Sequence, residues 1–152
     1  MLPVNPETIL KASEHRKPLV EENPEGAFRL FTGFREGYPH LVIDLFHHSL
    51  VFYDYSPDCD LEDSFLLELA QSLAQTYPQI QTALRKTRNS DQPKMRNGTL
   101  LVGDEPSRWI REHGVRYALD LQLHQDSSFY IDTRNLRKWL IEHSSEKTVL
   151  NT

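Results

Sequence analysis

The sequence predicts an α+β fold: an antiparallel β meander and hairpins with one main helix, followed by a lead-in helix and the first strand of a second, doubly wound domain. Three observations carry this expectation. Short alternating apolar runs at 28–32, 40–46 and 49–55 are separated by a loop and by a tight His-His turn. One long stretch, Asp60 to Tyr77, keeps helical spacing throughout. The final residues pass from a helix end at His143 through a polar turn into Thr148-Val149-Leu150-Asn151-Thr152, the opening of a strand. A helix feeding an apolar strand is how a doubly wound α/β domain begins, so the chain reads as the front of a longer protein. A frayed terminal tail fits the same residues equally well.

Residues 1–26 read as an N-terminal extension punctuated by Pro3, Pro6, Pro18 and Pro24. Glu7 to Arg16 has the composition of a short helix carrying Ile9 and Leu10, which either docks on the body or stays free. The body, 27–124, opens with the strand Phe28–Thr32 and a loop from Gly33 to Pro39. His40 to Phe46 is the second strand, with Leu41, Ile43 and Leu45 on one face. His47-His48 suits a tight turn, because His tolerates positive φ better than most residues. Ser49 to Tyr55 is the third strand, with Leu50 and Phe52 on one face and Val51, Tyr53 and Tyr55 on the other. Strand, turn and strand at this spacing make a meander.

The main helix has Asp60 as its expected N-cap, with Glu62 and Asp63 at the positive end of its dipole. Leu66, Leu69, Ala70, Leu73, Ala74 and Tyr77 form its apolar stripe, and Pro78 ends it. Ile80 to Thr87 reads as a strand, 88–98 as a polar loop and Leu100–Val102 as a short strand. Trp109–Glu112 and Val115–Leu121 form a hairpin around His113-Gly114. Residues 125–152 start the second domain: a helix from Thr133, capped by Asp132, puts Leu136, Trp139, Leu140 and His143 on one face.

A hydrophobic share of 38%, with 10% aromatic residues, suffices for a core, and a mean hydropathy of -0.57 describes a very polar surface. The formal charge of -5 argues against strong non-specific nucleic-acid binding by the chain as a whole and leaves room for local basic patches. The single cysteine, Cys59, rules out an internal disulfide and fits a reducing, cytoplasmic compartment. Its flanking Asp58 and Asp60 disfavour a thiolate. No apolar run reaches the roughly 18 residues of a membrane span, and no signal peptide opens the chain.

The histidines show no metal-ligand spacing, and no nucleophile–base pair suggests an independent hydrolase. Arg85, Lys86 and Arg88, with Lys94 and Arg96 nearby, are the basic-rich stretch and the RNA-facing candidates. A solvated edge strand protected by charge is the plainer reading of the same residues. Arg108, Arg111 and Arg116 flank Trp109 and Tyr117, where arginine–aromatic stacking is one use and ordinary surface placement another. The segment Gln125-Asp126-Ser127-Ser128-Phe129-Tyr130-Ile131-Asp132-Thr133-Arg134 gathers hydroxyls, two rings and an acid at a helix start.

Two stretches resemble S-adenosylmethionine-dependent methyltransferases of large-subunit ribosomal RNA, the group that includes cytosine-5 enzymes with a central β-rich domain. Gly37-Tyr38-Pro39-His40-Leu41-Val42-Ile43-Asp44 is similar to that family's Gly-Leu-Pro-Gly-Leu-x-Val-Asp. Glu112-His113-Gly114-Val115-Arg116-Tyr117-Ala118-Leu119-Asp120, then Phe129-Tyr130-Ile131-Asp132-Thr133-Arg134, is similar to its Glu-x-Gly segment and its aromatic-aromatic-Leu-Asp-Gln-Arg. Asp126-Ser127-Ser128 stands where the family has Lys-Thr-Gly, and Thr133 where it has Gln. The N-terminal extension is too short for the family's usual RNA-binding PUA domain.

The resemblance implies a substrate-positioning domain followed by the start of a truncated Rossmann-like methyltransferase domain. It implies S-adenosylmethionine as cofactor of the full-length protein, with Phe129, Tyr130, Asp132 and Arg134 edging its pocket. It implies ribosomal RNA as partner and no catalytic residue within this chain, which alone is expected to be inactive; the lack of a long apolar run adds the expectation of no membrane partner. A stand-alone RNA- or protein-binding module is the alternative.

Overall fold

A computed structural model describes residues 5–57 and 61–148. Asp58, Cys59 and the expected cap Asp60 lie outside the described residues, as does the strand expected at Val149-Leu150-Asn151.

Two helices open the chain, α1 (Pro6–Glu14) and α2 (Lys17–Glu22). The Asn5 side chain caps α1 by accepting from the Glu7 amide at 2.9 Å, and Pro6 occupies the first turn, where its missing N–H costs nothing. Ile9 and Val20 are buried in the main core, so the segment read as an extension is docked. The Tyr77 hydroxyl, donating to the Ser13 carbonyl at 2.5 Å, ties it to the end of the main helix.

Strands β1 (Ala27–Thr32), β2 (Leu41–Phe46) and β3 (Ser49–Asp54) form the expected antiparallel meander. Gly33 starts the β1–β2 loop because a Cβ there would lie 1.8 Å from the Tyr38 carbonyl oxygen. His47 turns the chain between β2 and β3 at φ 54, the left-handed conformation expected of it.

The next step departs from a meander. Helix α3 (Asp63–Thr76) crosses over and returns the chain as β4 (Thr82–Thr87), which pairs parallel with β3. A parallel neighbour needs such a crossover, and the length of α3 supplies it. β5 (Thr99–Val102) then covers the other side of β4, giving a sheet of order β1-β2-β3-β4-β5. β4 is therefore interior, which corrects the edge-strand reading of Arg85 and Lys86. A short helix, α4 (Pro93–Asn97), lies within the expected polar loop.

Both faces of the sheet are covered. Leu41, Ile43, Leu45, Leu50 and Phe52 pack with Leu66, Leu69, Ala70, Leu73 and Tyr77 on one side. Phe46, Val51, Tyr53 and Leu84 pack on the other with Ile110, Leu119 and Leu121. The second side is supplied by the hairpin β6 (Trp109–Glu112) and β7 (Val115–Ala118), whose turn holds His113 and Gly114 at φ 51 and 78. A buried hydroxyl cluster anchors the approach to β6: Ser49 Oγ lies 2.6 Å from Thr82 Oγ1 and accepts from the Ser107 amide at 2.7 Å.

A 3-10 turn (Ile131–Thr133) leads into α5 (Arg134–His143). Thr133, without a side-chain cap bond, stands at the α5 N-cap position expected of Asp132. None of the α5 residues is buried. Leu136 and Trp139 are exposed, and the Trp139 ring stacks on His143 at 4.7 Å. No described helix is long and apolar enough to cross a membrane.

Candidate functional site

The hairpin-side face of the sheet carries a polar cleft at its β1–β2–β3 end. Pleating dictates its composition: Arg29 on β1, Asp44 on β2 and Tyr53 on β3 all point to this face. Arg29 sits directly opposite Asp44 in the register and grips its carboxylate with Nε at 2.9 Å and Nη2 at 3.2 Å. Burial pushes the Asp44 carboxyl up from the usual carboxylate range, and Arg29 only partly offsets that. Burial, with the Asp44 charge adding to it, also raises the Tyr53 phenol.

The opposite wall is the segment from Gln125 to Asp132. Sheet side chains hold it down. Lys86, fully buried, donates from Nζ to the carbonyls of His124 at 2.6 Å and Asp126 at 3.0 Å. Arg88 donates to the Gln125 carbonyl at 2.7 Å and to Asp126 Oδ1 at 3.0 Å. The Tyr53 hydroxyl bonds Ser127 Oγ. Ser128, at φ 53, accepts from the Asp120 amide with its Oγ at 2.8 Å. That left-handed turn aims Phe129 at the core and Tyr130 outward; Phe129 meets Tyr117 edge-on at 5.4 Å while Tyr130 is 65% exposed.

The resulting cleft, about 190 Å³, is lined by Arg29, Asp44, Tyr53, Tyr55, Arg88, Asp126, Ser127 and residues 129–132. Phe129, Tyr130 and Asp132 thus converge with Arg88, as their placement on separate parts of the sequence did not show. The other predicted residues go elsewhere. Arg134 lies outside the lining, over the Phe28 ring at 5.5 Å and 3.8 Å from Glu112. Arg85 is buried on the α3 face between Asp54 and Asp63, each at 2.7 Å. Arg85 and Lys86, which sequence offers either as RNA-facing candidates or as edge-strand surface charge, are thus engaged with protein groups inside the fold.

Sequence reasoning missed Arg29 and Asp44 as site residues. The available signal was a carboxylate in the middle of the apolar strand Leu41–Phe46, because such a group demands a cation beside it. Chemically, the cleft offers an exposed ring, fixed cations and several carboxylates. Among its lining residues the proton acceptors are the carboxylates of Asp44, Asp126 and Asp132, with neither Cys nor His beside them.

No family model matches the chain. Over 145 residues it is 28% identical to ribosomal RNA large subunit methyltransferase I of Aeromonas salmonicida, a match covering 92% of this chain and 36% of that protein. It is also 28% identical over 151 residues to a Bacillus subtilis protein assigned as a ribosomal RNA large subunit methyltransferase, covering 95% of this chain and 37% of that one. The chain spans little more than a third of these curated relatives. Among solved structures, it is similar to one from Streptococcus mutans assigned as a SAM-dependent methyltransferase, with TM-score 0.70, 22% identity and coverage of 95% of this chain and 38% of that chain. A second, assigned as a methyltransferase and complexed with SAH, gives TM-score 0.72 at 22% identity, covering 95% and 37%. The chain's relatives are thus ribosomal RNA large-subunit methyltransferases, and its mixed α+β fold is one found within solved structures assigned as methyltransferases.

Proposed function

We propose that this chain is the N-terminal and central part of a cytoplasmic, SAM-dependent methyltransferase acting on a nucleobase of ribosomal RNA. Residues 27–124 position the substrate, and the segment from 125 begins the methyltransferase domain. The supporting observation is the cleft itself. Phe129, Tyr130 and Asp132, singled out by resemblance, share it with Arg29, Asp44 and Arg88.

The cleft fits one edge of a nucleoside-like cofactor. The Tyr130 ring is open to stack on a flat base, and Asp132 offers a carboxylate to hydroxyl groups. Arg134 orders the helix start from behind through Glu112 and Phe28. S-adenosylmethionine bound there would supply the methyl group. A cytosine-5 chemistry needs a nucleophilic cysteine, and the reading assigns it to the part of the relatives that this chain does not span. On its own, the chain neither methylates RNA nor holds the cofactor tightly.

The test is methyl transfer. The endogenous polypeptide carrying this sequence is purified, its intact mass measured, and label from S-adenosylmethionine followed into ribosomal RNA from cells lacking it. Labelled RNA is expected. An unlabelled RNA, with a polypeptide no larger than 17.8 kDa, overturns the reading. Low-micromolar binding of S-adenosylmethionine to this chain alone would overturn the assignment of tight binding to the remainder.

A second reading, a protein-binding module, is favoured by the exposed Leu136 and Trp139 of α5. A native polypeptide of this length would bring it forward.

A further inference from the structure

We infer that the outward face of the β6–β7 hairpin is a docking platform for the phosphate backbone of an RNA strand. This rests on the reading of the chain as part of an RNA-modifying enzyme. It assigns the charge-bearing contacts to Arg111 and Arg116.

Register places Arg111 directly across from Arg116, and Trp109 across from Ala118. Ile110, between Trp109 and Arg111, is buried against the sheet, so alternation turns Trp109, Arg111, Arg116 and Ala118 to the other face. Like charges directly opposite on an antiparallel pair are destabilising, and an ordinary surface hairpin pairs opposite signs there. This hairpin keeps two arginines. Glu25 approaches Arg111 at 3.3 Å. Among the described residues no carboxylate forms an ion pair with Arg116.

Arg116 is instead laid over the Trp109 ring, 4.1 Å from its centroid. Stacking occupies the flat face of the guanidinium and leaves the in-plane N–H donors free. Those donors match a phosphate bidentately, and the stack fixes their direction in advance. Opposed residues in such a pair have Cα atoms about 5 Å apart, so the two forks can reach one phosphate or two successive ones.

The surroundings sharpen the inference. The chain carries a net charge of -5, so most of its surface repels a polyanion and the hairpin stands out against it. Arg85 and Lys86, RNA-facing candidates by sequence, are buried and engaged with protein partners.

The experiment is fluorescence anisotropy of a labelled single-stranded oligouridylate titrated with the chain across a salt series. Wild type is compared with Arg111→Gln, Arg116→Gln and, as an equal charge change elsewhere, the exposed Lys138→Gln of α5. Circular dichroism checks that each is folded. Each hairpin variant is expected to weaken binding and to reduce the steepness of log K against log salt by about 0.7, the contribution of one phosphate contact on a single strand. Lys138→Gln should leave the slope unchanged. Arg116→Lys should preserve the slope while weakening binding, because it keeps charge and loses the fork.

Equal slopes for the hairpin variants and wild type overturn the platform while leaving the methyltransferase reading intact. A wild-type chain that ignores the oligonucleotide at low salt also overturns it. Methyl transfer by the endogenous polypeptide then decides the reading separately.

Discussion

The Lys86 ammonium ends 2.6 Å from the His124 carbonyl oxygen, with no solvent exposure. A central strand thereby holds one wall of the cleft through a charge buried in the sheet. Burial lowers the Lys86 pKa from 10.5 to about 8, and the neighbouring Arg88 adds to that. The folded state therefore binds this proton less well than the unfolded chain. Below pH 8 both states carry the proton and folding bears the full desolvation cost. Between 8 and 10.5 the folded state gives up the proton first, so stability rises with pH. Urea titrations of wild type against Lys86→Met should show the difference moving in favour of wild type across that window, by at most about 1.4 kcal/mol per pH unit. A flat difference would show that the ammonium is better solvated than its burial implies.

Glu112 anchors α5. Its buried carboxylate accepts from Arg137 at 2.6 and 3.1 Å, and Arg137 also covers the Phe129 ring at 4.1 Å. Glu112→Ala strips the partner from that cation and should cost roughly 3 kcal/mol. The loss should be local first: hydrogen exchange at residues 134–143 should accelerate more than exchange in β2 and β3. Uniform acceleration would mean that α5 and the sheet open as one unit.

Ser128 holds a left-handed conformation that costs a non-glycine residue about 1 kcal/mol. Its hydroxyl contributes a bond to the Asp120 amide of similar size. Ser128→Gly exchanges one for the other and should change stability by less than about 0.5 kcal/mol, whereas Ser128→Ala keeps the strain and loses the bond, costing about 1 kcal/mol. Thermal melts of the two variants decide this, and equal losses would assign the position to the hydroxyl alone.

Tyr130 contributes little to the core, so Tyr130→Ala should leave the melting temperature nearly unchanged. In the polypeptide that carries the activity, the same change should raise the KM for S-adenosylmethionine about tenfold, the equivalent of roughly 1.4 kcal/mol of lost stacking. An unchanged KM would remove Tyr130 from the cofactor edge.

Period and punctuation alone determined much of this protein. Alternation at 41–46 and 49–54 fixed which side chains share a face, because successive Cβ atoms in a strand must point oppositely. The stripe Leu66, Leu69, Ala70, Leu73 determined α3 for the same local reason, and His47 and His113 turned as their tolerance of positive φ allows. Tertiary structure decided what local rules leave open. Sequence carries no direction for the strand after α3, and only the crossover made β4 parallel and interior, turning Arg85 and Lys86 from apparent surface charge into buried fasteners. The cleft likewise exists only after β1, β2 and β3 bring Arg29, Asp44 and Tyr53 beneath a loop from far along the chain. A site made of distant residues depends on pairing and packing between elements, and spacing within one element cannot encode it.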